Sequence, residues 1–133
     1  MSAITELVDL PPREQISLLR AGILPEVFDE VAQAYGLTRE AFAQRLRISI
    51  RTLNRKKKEA ARLGPTESER VLRAARLHHH ARLVYATDEA AAQWLLTPAA
   101  PLGGAAPLDL SDTDVGMAQA ESFIMGVGYG MFQ

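Results

Sequence analysis

The spacing of apolar residues predicts an almost entirely helical chain. Apolar positions recur three and four residues apart, and the β-branched runs that mark strands are missing. We expect loosely ordered residues before Pro12, with packing of Leu7, Val8 and Leu10 on the body as the alternative. An amphipathic segment over 13–19 and a helix that begins at Pro25 and ends at Gly36 are predicted to follow. The predicted buried stripe of that helix consists of Val27, Phe28, Val31, Ala32 and Tyr35.

Two short helices separated by a tight turn are predicted between residues 37 and 62. Thr38 and Ser49 are suitable N-caps for them, because a hydroxyl can accept a hydrogen bond from the first helical turn. This arrangement has the spacing of a helix-turn-helix. On a helical wheel Leu53 faces the core, Thr52 and Asn54 lie on the flanks, and the opposite side carries Arg51, Arg55, Lys58 and Arg62.

The second half is predicted to contain three more helices. Thr66 and Glu69 form a capping box that starts a long amphipathic helix, which runs to about Tyr85 and joins the two halves. A short helix follows Thr87 and ends before a loop over 98–108, and a last helix starts at about Asp112. Among the residues predicted to face the core on the long helix are Val71, Ala74, Leu77, Ala81 and Val84.

The C-terminal tail is apolar and rich in glycine. From Phe123 to Gln133, large apolar residues are interspersed with glycines at 126, 128 and 130. Each glycine costs about 1 kcal/mol in a helix interior, so an ordinary amphipathic helix is not expected here. The tail is either packed against the long helix or available to a partner protein, and glycine would permit close backbone approach in both cases.

The charges are unevenly distributed. Residues 1–38 carry two bases and six acids, net −4; residues 39–83 carry thirteen bases and four acids, net +9; and residues 84–133 carry six acids and no base, net −6. A strongly basic middle third is typical of a nucleic-acid-binding surface. A solvated helix face is the alternative, because lysine and arginine are ordinary surface residues.

The second helix of the pair has the chemistry of a DNA-recognition helix. Its first residues would reach base edges, where arginine pairs with guanine and asparagine with adenine, while its remaining residues would meet phosphates. We therefore expect base contacts from Arg51, Arg55 and Asn54. The full set of predicted DNA-binding residues is Ser49, Arg51, Thr52, Asn54, Arg55, Lys56, Lys57 and Lys58. The alternative is an amphipathic helix with a basic outer face and no DNA role.

Composition argues against several other classes of function. There is no cysteine for a disulfide, a thiolate zinc site or a nucleophile, and 47% apolar residues suffice for one compact domain or two small ones. Consecutive histidines 78–80 point about 100° apart on a helix and cannot converge on one metal ion. Asp109, Asp112 and Asp114 lack the glycine and glutamate of a calcium loop and are interpreted as loop polarity and helix capping.

Neither catalysis nor membrane insertion is expected. GxSxG, HExxH and P-loop motifs do not occur, so an enzymatic role for the chain alone and a cofactor are not predicted. No stretch approaches the ~18 apolar residues that span a bilayer, and the N-terminus has no secretion signal. We therefore expect a soluble, cytoplasmic, non-enzymatic protein without metal.

From about Ile16 to Gln133, the order of motifs resembles one known family. The residues that carry the resemblance are Gly22, Pro25, Arg51, Thr52, Leu53, the segment 63–73, Ala92, Trp94, Leu95, Pro98, Leu102, Gly103, Gly104, Pro107, Leu108, Thr113, Gly116 and the ending Tyr129, Gly130, Met131 and Phe132. This order is similar to that of the Xre/MbcA/ParS antitoxins of type II toxin-antitoxin modules. Residues 1–15 match nothing in that family.

The resemblance implies an all-α protein with two parts. Residues 1–65 would form an Xre-like helix-turn-helix domain that binds the module's own operator, and 66–133 an α-helical toxin-binding domain. The implied partner is a RES-type, NAD-consuming toxin with a fold similar to ADP-ribosyltransferases, whose active-site entrance the C-terminal end would cover. Homodimers within a toxin-antitoxin complex would match operator symmetry. The implied toxin-binding residues are Trp94, Ile124, Val127, Tyr129, Gly130, Met131 and Phe132.

Two departures from the family pattern concern function. Arg47 stands where relatives often have glycine in the turn, and Gly126 and Gly128 replace polar or charged residues of the last helix. The first would alter the DNA-reading geometry, and the second would shorten that helix. Two alternatives to an antitoxin remain: a helix-turn-helix repressor whose C-terminal half only dimerises, and a small enzyme or metal protein.

Overall fold

The structure is a computed structural model that describes residues 2–128, apart from the side chains of residues 127 and 128. It is all-helical, and the described residues contain no β-strand, which confirms the predicted fold class. The helices are α1 (Ala3–Val8), α2 (Pro12–Ala21), α3 (Pro25–Ala34), α4 (Arg39–Leu46), α5 (Ile50–Lys58), α6 (Pro65–Arg82), α7 (Asp88–Leu96) and α8 (Asp114–Gly128). Two 3₁₀ turns, Ala100–Leu102 and Pro107–Leu110, lie between α7 and α8; the first is within the predicted loop 98–108, and the second extends two residues beyond it.

Helix α6 is the centre of the molecule. It packs against α1, α2 and α3 of the N-terminal half and against α7 and α8 of the C-terminal half. Small residues such as Ala74 and Ala75 are fully buried on it and permit close helix approach. Tyr35 donates a hydrogen bond from its hydroxyl to the Ala74 carbonyl over 2.7 Å. The long predicted helix therefore serves both halves, although Val84, predicted on its buried face, lies beyond the helix and is exposed.

The N-terminal core is built around an aromatic cluster. The rings of Phe28 and Tyr35 lie 5.0 and 5.3 Å from that of Phe42, between α3 and α4. The predicted stripe of α3 is buried except for Val27, which is half-buried. Gly22 links α2 to this core with φ +101°, and a Cβ there would lie 2.1 Å from the Leu63 carbonyl oxygen. Both the positive φ and the close carbonyl oxygen therefore exclude a side chain at this position.

The first residues are better ordered than the sequence suggested. Residues 3–8 form α1, whose Ile4 and Leu7 side chains are buried against α3 and α6. Gln15 donates from its side-chain amide to the carbonyls of Leu7 and Val8, at 3.2 and 3.0 Å, and so satisfies the end of the helix. The prediction of loose order was wrong because two apolar residues one turn apart bury enough surface to hold this short helix.

Three other local predictions also require correction. Helix α6 begins at Pro65 with Gly64 as N-cap, so Thr66 and Glu69 form no capping box; proline at the first helical position already supplies a suitable φ. Helix α5 ends at Lys58, so Arg62 does not extend its cationic face and instead donates to the Gly22 carbonyl at 2.8 Å. Helix α8 continues through residue 126 to Gly128, because burial of residues 123 and 124 outweighs the low helix propensity of glycine.

Candidate functional site

The predicted helix-turn-helix consists of α4, a tight turn and α5. Both predicted caps are present: the Thr38 hydroxyl accepts from the Ala41 amide at 3.1 Å, and the Ser49 hydroxyl accepts from the Thr52 amide at 3.2 Å. Leu53 is 1% exposed and fastens α5 to the core. The opposite face of α5 therefore points outward, as a recognition helix requires.

Arg47 forms the turn without a glycine. Its backbone adopts the left-handed conformation, with φ 58° and ψ 42°, which costs a side-chain-bearing residue roughly 1–2 kcal/mol. Two contacts hold it there: Arg70 donates from Nη1 to the Arg47 carbonyl at 2.8 Å, and Arg47 Nη1 lies 3.1 Å from Asp112 Oδ2. The substitution of arginine for glycine thus leaves the tight turn in place.

The outer face of α5 carries cations without internal partners. Arg51, Arg55 and Lys58 are exposed and Lys56 is half-buried. Within the part of the chain that the structure describes, none of these four side chains makes an ion pair or hydrogen bond. Their charges therefore face solvent and are available to an anionic partner.

One flank of α5 is tied to the neighbouring helices. Asp29 of α3 pairs with Arg39 and Lys57 over 2.7 Å each, and Arg39 also donates to the Asn54 side-chain oxygen over 3.0 Å. Burial opposes the charge on Asp29, but the hydrogen bonds and charges of Arg39 and Lys57 outweigh it and lower the pKa of this carboxyl. Asn54 and Lys57 are thus predicted DNA-binding residues that already have internal partners.

Most remaining bases of the central segment join the two halves. Arg45 pairs with Asp109 over 2.9 Å, and Arg73 donates to the carbonyls of residues 111 and 112 over 3.4 and 3.3 Å. Arg76 and His80 both reach Glu121 of α8, over 3.3 and 3.2 Å. We call this set of contacts between residues 45–80 and 109–121 the seam.

The seam corrects the interpretation of the aspartates. Asp109 and Asp112 are ion-pair partners of Arg45 and Arg47, rather than general loop polarity. Asp114 lies in the first turn of α8, where Thr113 accepts from the Gly116 amide at 2.9 Å. The alternation of basic and acidic segments was the only sequence signal for this contact, and it could not say which residues pair.

The predicted toxin-binding residues of the C-terminal half occupy different environments. Trp94 of α7 is half-buried, with its ring stacked 5.1 Å from Phe123 and tilted 5.8 Å from Tyr85. Ile124 is 3% exposed and belongs to the core, so α8 would have to move before a partner could touch it. The structure does not describe Tyr129, Gly130, Met131 and Phe132, or the side chain of Val127.

Helix α8 carries two exposed apolar side chains, Val115 and Met125, which we call the apolar strip; Met125 lies in the predicted apolar tail, whereas Val115 escaped the sequence analysis. Val115 is 75% and Met125 is 59% exposed, so both side chains point into solvent. A shallow groove of about 520 Å³ lies between α8 and the loop residues Pro101 and Leu102, and Val115 lines it whereas Met125 does not. Such exposure on a base-free half is typical of a protein-binding surface.

The three histidines have separate surroundings. His78 is 2% exposed with Nε2 3.8 Å from Asp88 Oδ1, whereas His80 faces Glu121. Burial lowers the pKa of His78, although the nearby Asp88 charge partly opposes this. Among the described residues, no cluster of three histidine or acidic side chains could hold a metal ion. The described helices are also too short or too polar to cross a membrane.

Comparison with known proteins gives two matches in succession along the chain. Residues 14–76 match the antitoxin Xre-like helix-turn-helix domain, and residues 80–130 match the antitoxin Xre/MbcA/ParS C-terminal toxin-binding domain. The chain is also similar to antitoxin Xre of Yersinia enterocolitica, at 25% identity over 118 residues that cover 88% of this chain and 80% of that relative. The chain belongs to the Xre/MbcA/ParS-type antitoxins, with a helix-turn-helix domain followed by a C-terminal toxin-binding domain.

Proposed function

We propose that this antitoxin neutralises a RES-type, NAD-consuming toxin by direct binding in the cytoplasm and represses its own operon. The match of residues 80–130 to a toxin-binding domain carries the first part of this proposal. The four unpartnered cations of α5 support the second part. The RES identity of the toxin rests on the family resemblance of the motif order.

The proposed toxin surface centres on the outer face of α8 and the residues that follow it. Met125 and Val115 supply exposed apolar area, and Trp94 stacks beneath the strip through Phe123. Residues 84–133 contain six acids and no base, so the matching toxin surface should be apolar and basic. Val127 and the ending Tyr129, Gly130, Met131 and Phe132 would enter the active-site cleft and exclude NAD sterically.

The proposed DNA surface is the outer face of α5. Arg51 and Arg55 would reach base edges, while Ser49, Thr52 and lysines 56–58 would contact phosphates and Asn54 a further base. Two copies of the chain would bind the two half-sites of a palindromic operator, because a two-fold symmetric site requires a two-fold symmetric protein.

Co-expression with the neighbouring gene tests neutralisation. The truncation should begin at Tyr129, because removal of Phe123 and Ile124 would take core residues from α8. The second variant is Met125→Asp, which places a charge on the exposed strip. Leu83→Asp is the matched control, because Leu83 is a 78% exposed apolar residue just after the end of α6 and does not line the groove beside α8.

We expect the whole chain and Leu83→Asp to restore growth and the NAD level and to co-purify with the toxin. Met125→Asp should co-purify poorly, and the truncation should bind without restoring NAD. If the neighbouring product is harmless and nothing co-purifies, neutralisation is refuted. The chain would then be a repressor whose C-terminal half only dimerises.

A further inference from the structure

We propose that Arg39 is a positioning residue for DNA recognition: it fixes the orientation of the Asn54 side-chain amide and thereby sets one base preference of α5. This inference rests on the proposed DNA binding. Arg39 lies on α4, outside the helix that would enter the major groove, and its position in the sequence indicates no role in DNA recognition.

Three hydrogen bonds fix the orientation of the Arg39 guanidinium group. Its Nε and Nη2 atoms donate to the two carboxylate oxygens of Asp29, over 2.7 and 2.8 Å. The third nitrogen, Nη1, donates to Asn54 Oδ1 over 3.0 Å. Because the guanidinium is planar, the bidentate pair with Asp29 fixes the direction of the third donor.

The contact with Arg39 determines on which side the oxygen and the nitrogen of the Asn54 side-chain amide lie. A guanidinium can only donate, so the Asn54 carbonyl oxygen must face Arg39 and the amide nitrogen must point away. The nitrogen and the second lone pair of the oxygen then remain for a base edge, in one fixed sense. An adenine requires an acceptor opposite N6 and a donor opposite N7, and an amide turned the other way would put donor against donor.

Lys57 serves as the control for Arg39, because it binds the same Asp29 carboxylate. Its ammonium group lies 2.7 Å from Asp29 Oδ2 and, within the described part of the chain, makes no hydrogen bond to Asn54. Loss of Lys57 therefore removes a charge from the same site without releasing the amide. Arg39→Lys is the conservative test variant, because lysine can still pair with Asp29 but cannot also donate to Asn54 in a fixed direction.

The experiment measures base preference with a library of DNA duplexes that have a randomised centre. The preferred duplex and its single-base-pair variants are then titrated against wild type, Asn54→Ala, Arg39→Lys, the double variant and Lys57→Met. We expect Asn54→Ala to lose about tenfold discrimination at one base pair. Arg39→Lys should lose most of the same discrimination, the double variant should lose no more, and Lys57→Met should keep the discrimination of the wild type.

Two outcomes would overturn the inference in distinguishable ways. If the wild type binds every duplex alike, the proposed sequence-specific function fails, and the role of Arg39 fails with it. If the wild type discriminates but Arg39→Lys keeps its full preference, only the role of Arg39 is refuted.

A measurement without DNA supports the assignment independently. In the free protein, ¹⁵N relaxation of the Asn54 side-chain amide should show an ordered group in the wild type and in Lys57→Met. The same group should be mobile in Arg39→Lys. An amide that is equally mobile in wild type and Arg39→Lys would refute the positioning role.

Discussion

Helices α5 and α6 are both rich in cationic side chains, but these differ in whether they have a partner within the chain. On α5, Arg51, Arg55, Lys56 and Lys58 have no internal partner among the described residues. On α6, every arginine reaches an acceptor of the chain itself: Arg70 the carbonyl of residue 47, Arg73 those of residues 111 and 112, Arg76 Glu121, and Arg82 Asp88.

The comparison shows that charge density alone does not identify a nucleic-acid surface. The basic middle third contains two populations of cations: one has partners within the chain, and the other faces solvent without a described partner. An arginine whose donors are already occupied would have to break those contacts before it could bind phosphate, so its net gain is small. The unpartnered population is confined to the recognition helix, and that confinement is the stronger argument for DNA binding.

The largest expected effect follows from removal of the unpartnered arginines. The double substitution Arg51→Ala/Arg55→Ala should lower operator affinity by about 2–4 kcal/mol, since each base contact is worth about 1–3 kcal/mol. The melting temperature should stay the same, because neither side chain has a partner in the chain. Fluorescence anisotropy with operator and random duplexes measures this. For Arg51→Ala alone, equal losses on both duplexes would refute base reading by this residue.

Removal of a seam arginine should affect folding instead. Arg73→Met should lower the free energy of unfolding by about 1–3 kcal/mol, because the carbonyls of residues 111 and 112 lose a charged donor. Arg76→Met should cost less, since the Arg76 side chain is 38% exposed and that of Arg73 only 17%. Urea denaturation monitored by circular dichroism compares the two. A larger loss for Arg76→Met would contradict the ranking.

Stability should also depend on pH through the buried part of α6. Burial lowers the pKa of His78 below its ordinary value of 6.5, and Asp88 only partly offsets this; His80 is shifted in the same direction, again mainly by burial, with Glu121 opposing. The unfolded chain therefore binds protons at a higher pH than the folded one. The stability that depends on these neutral histidines should be complete above about pH 6.5, and the free energy of unfolding should fall as the pH drops toward the lowered pKa values.

Substitution isolates this effect. His78→Leu should reduce the difference in unfolding free energy between pH 7.5 and pH 5.5, because the titrating group is removed while the buried volume is kept. An unchanged pH dependence in this variant would show that His78 does not carry it.

The smallest effect concerns the turn between α4 and α5. The free energy of unfolding should be about 1 kcal/mol larger for Arg47→Gly than for Arg47→Ala, because only glycine adopts φ 58° without strain. Both variants lose the exposed pair with Asp112, so their difference isolates the backbone. Equal stability in thermal melts would mean that the turn relaxes to another conformation.

Local chemistry explains which elements could be predicted from sequence. The caps Thr38, Ser49 and Thr87 each accept the expected hydrogen bond, because capping depends only on residues three positions apart. Helix α8 passes through Gly126 because tertiary burial overrides propensity, and this is not visible in a local window.

The seam could not be predicted for a related reason. Arg45 and Asp109 are 64 residues apart, and only the packing of the two halves brings them together. Exposure of Val115 and Met125 likewise follows from how α8 rotates onto α6. The predicted boundary between residues 65 and 66 remains a prediction; the two family matches instead divide within α6, which both halves share.

The salt dependence of DNA binding tests the central comparison most directly. The affinity for the DNA upstream of the chain's own gene is measured over a range of salt concentrations for wild type, Lys58→Ala and Arg45→Ala. Lys58 is unpartnered, so its loss should reduce the slope of log K against log salt by about 0.9. Arg45 is occupied by Asp109, so its loss should leave the slope unchanged. Equal changes in both variants would contradict the distinction between the two populations of cations.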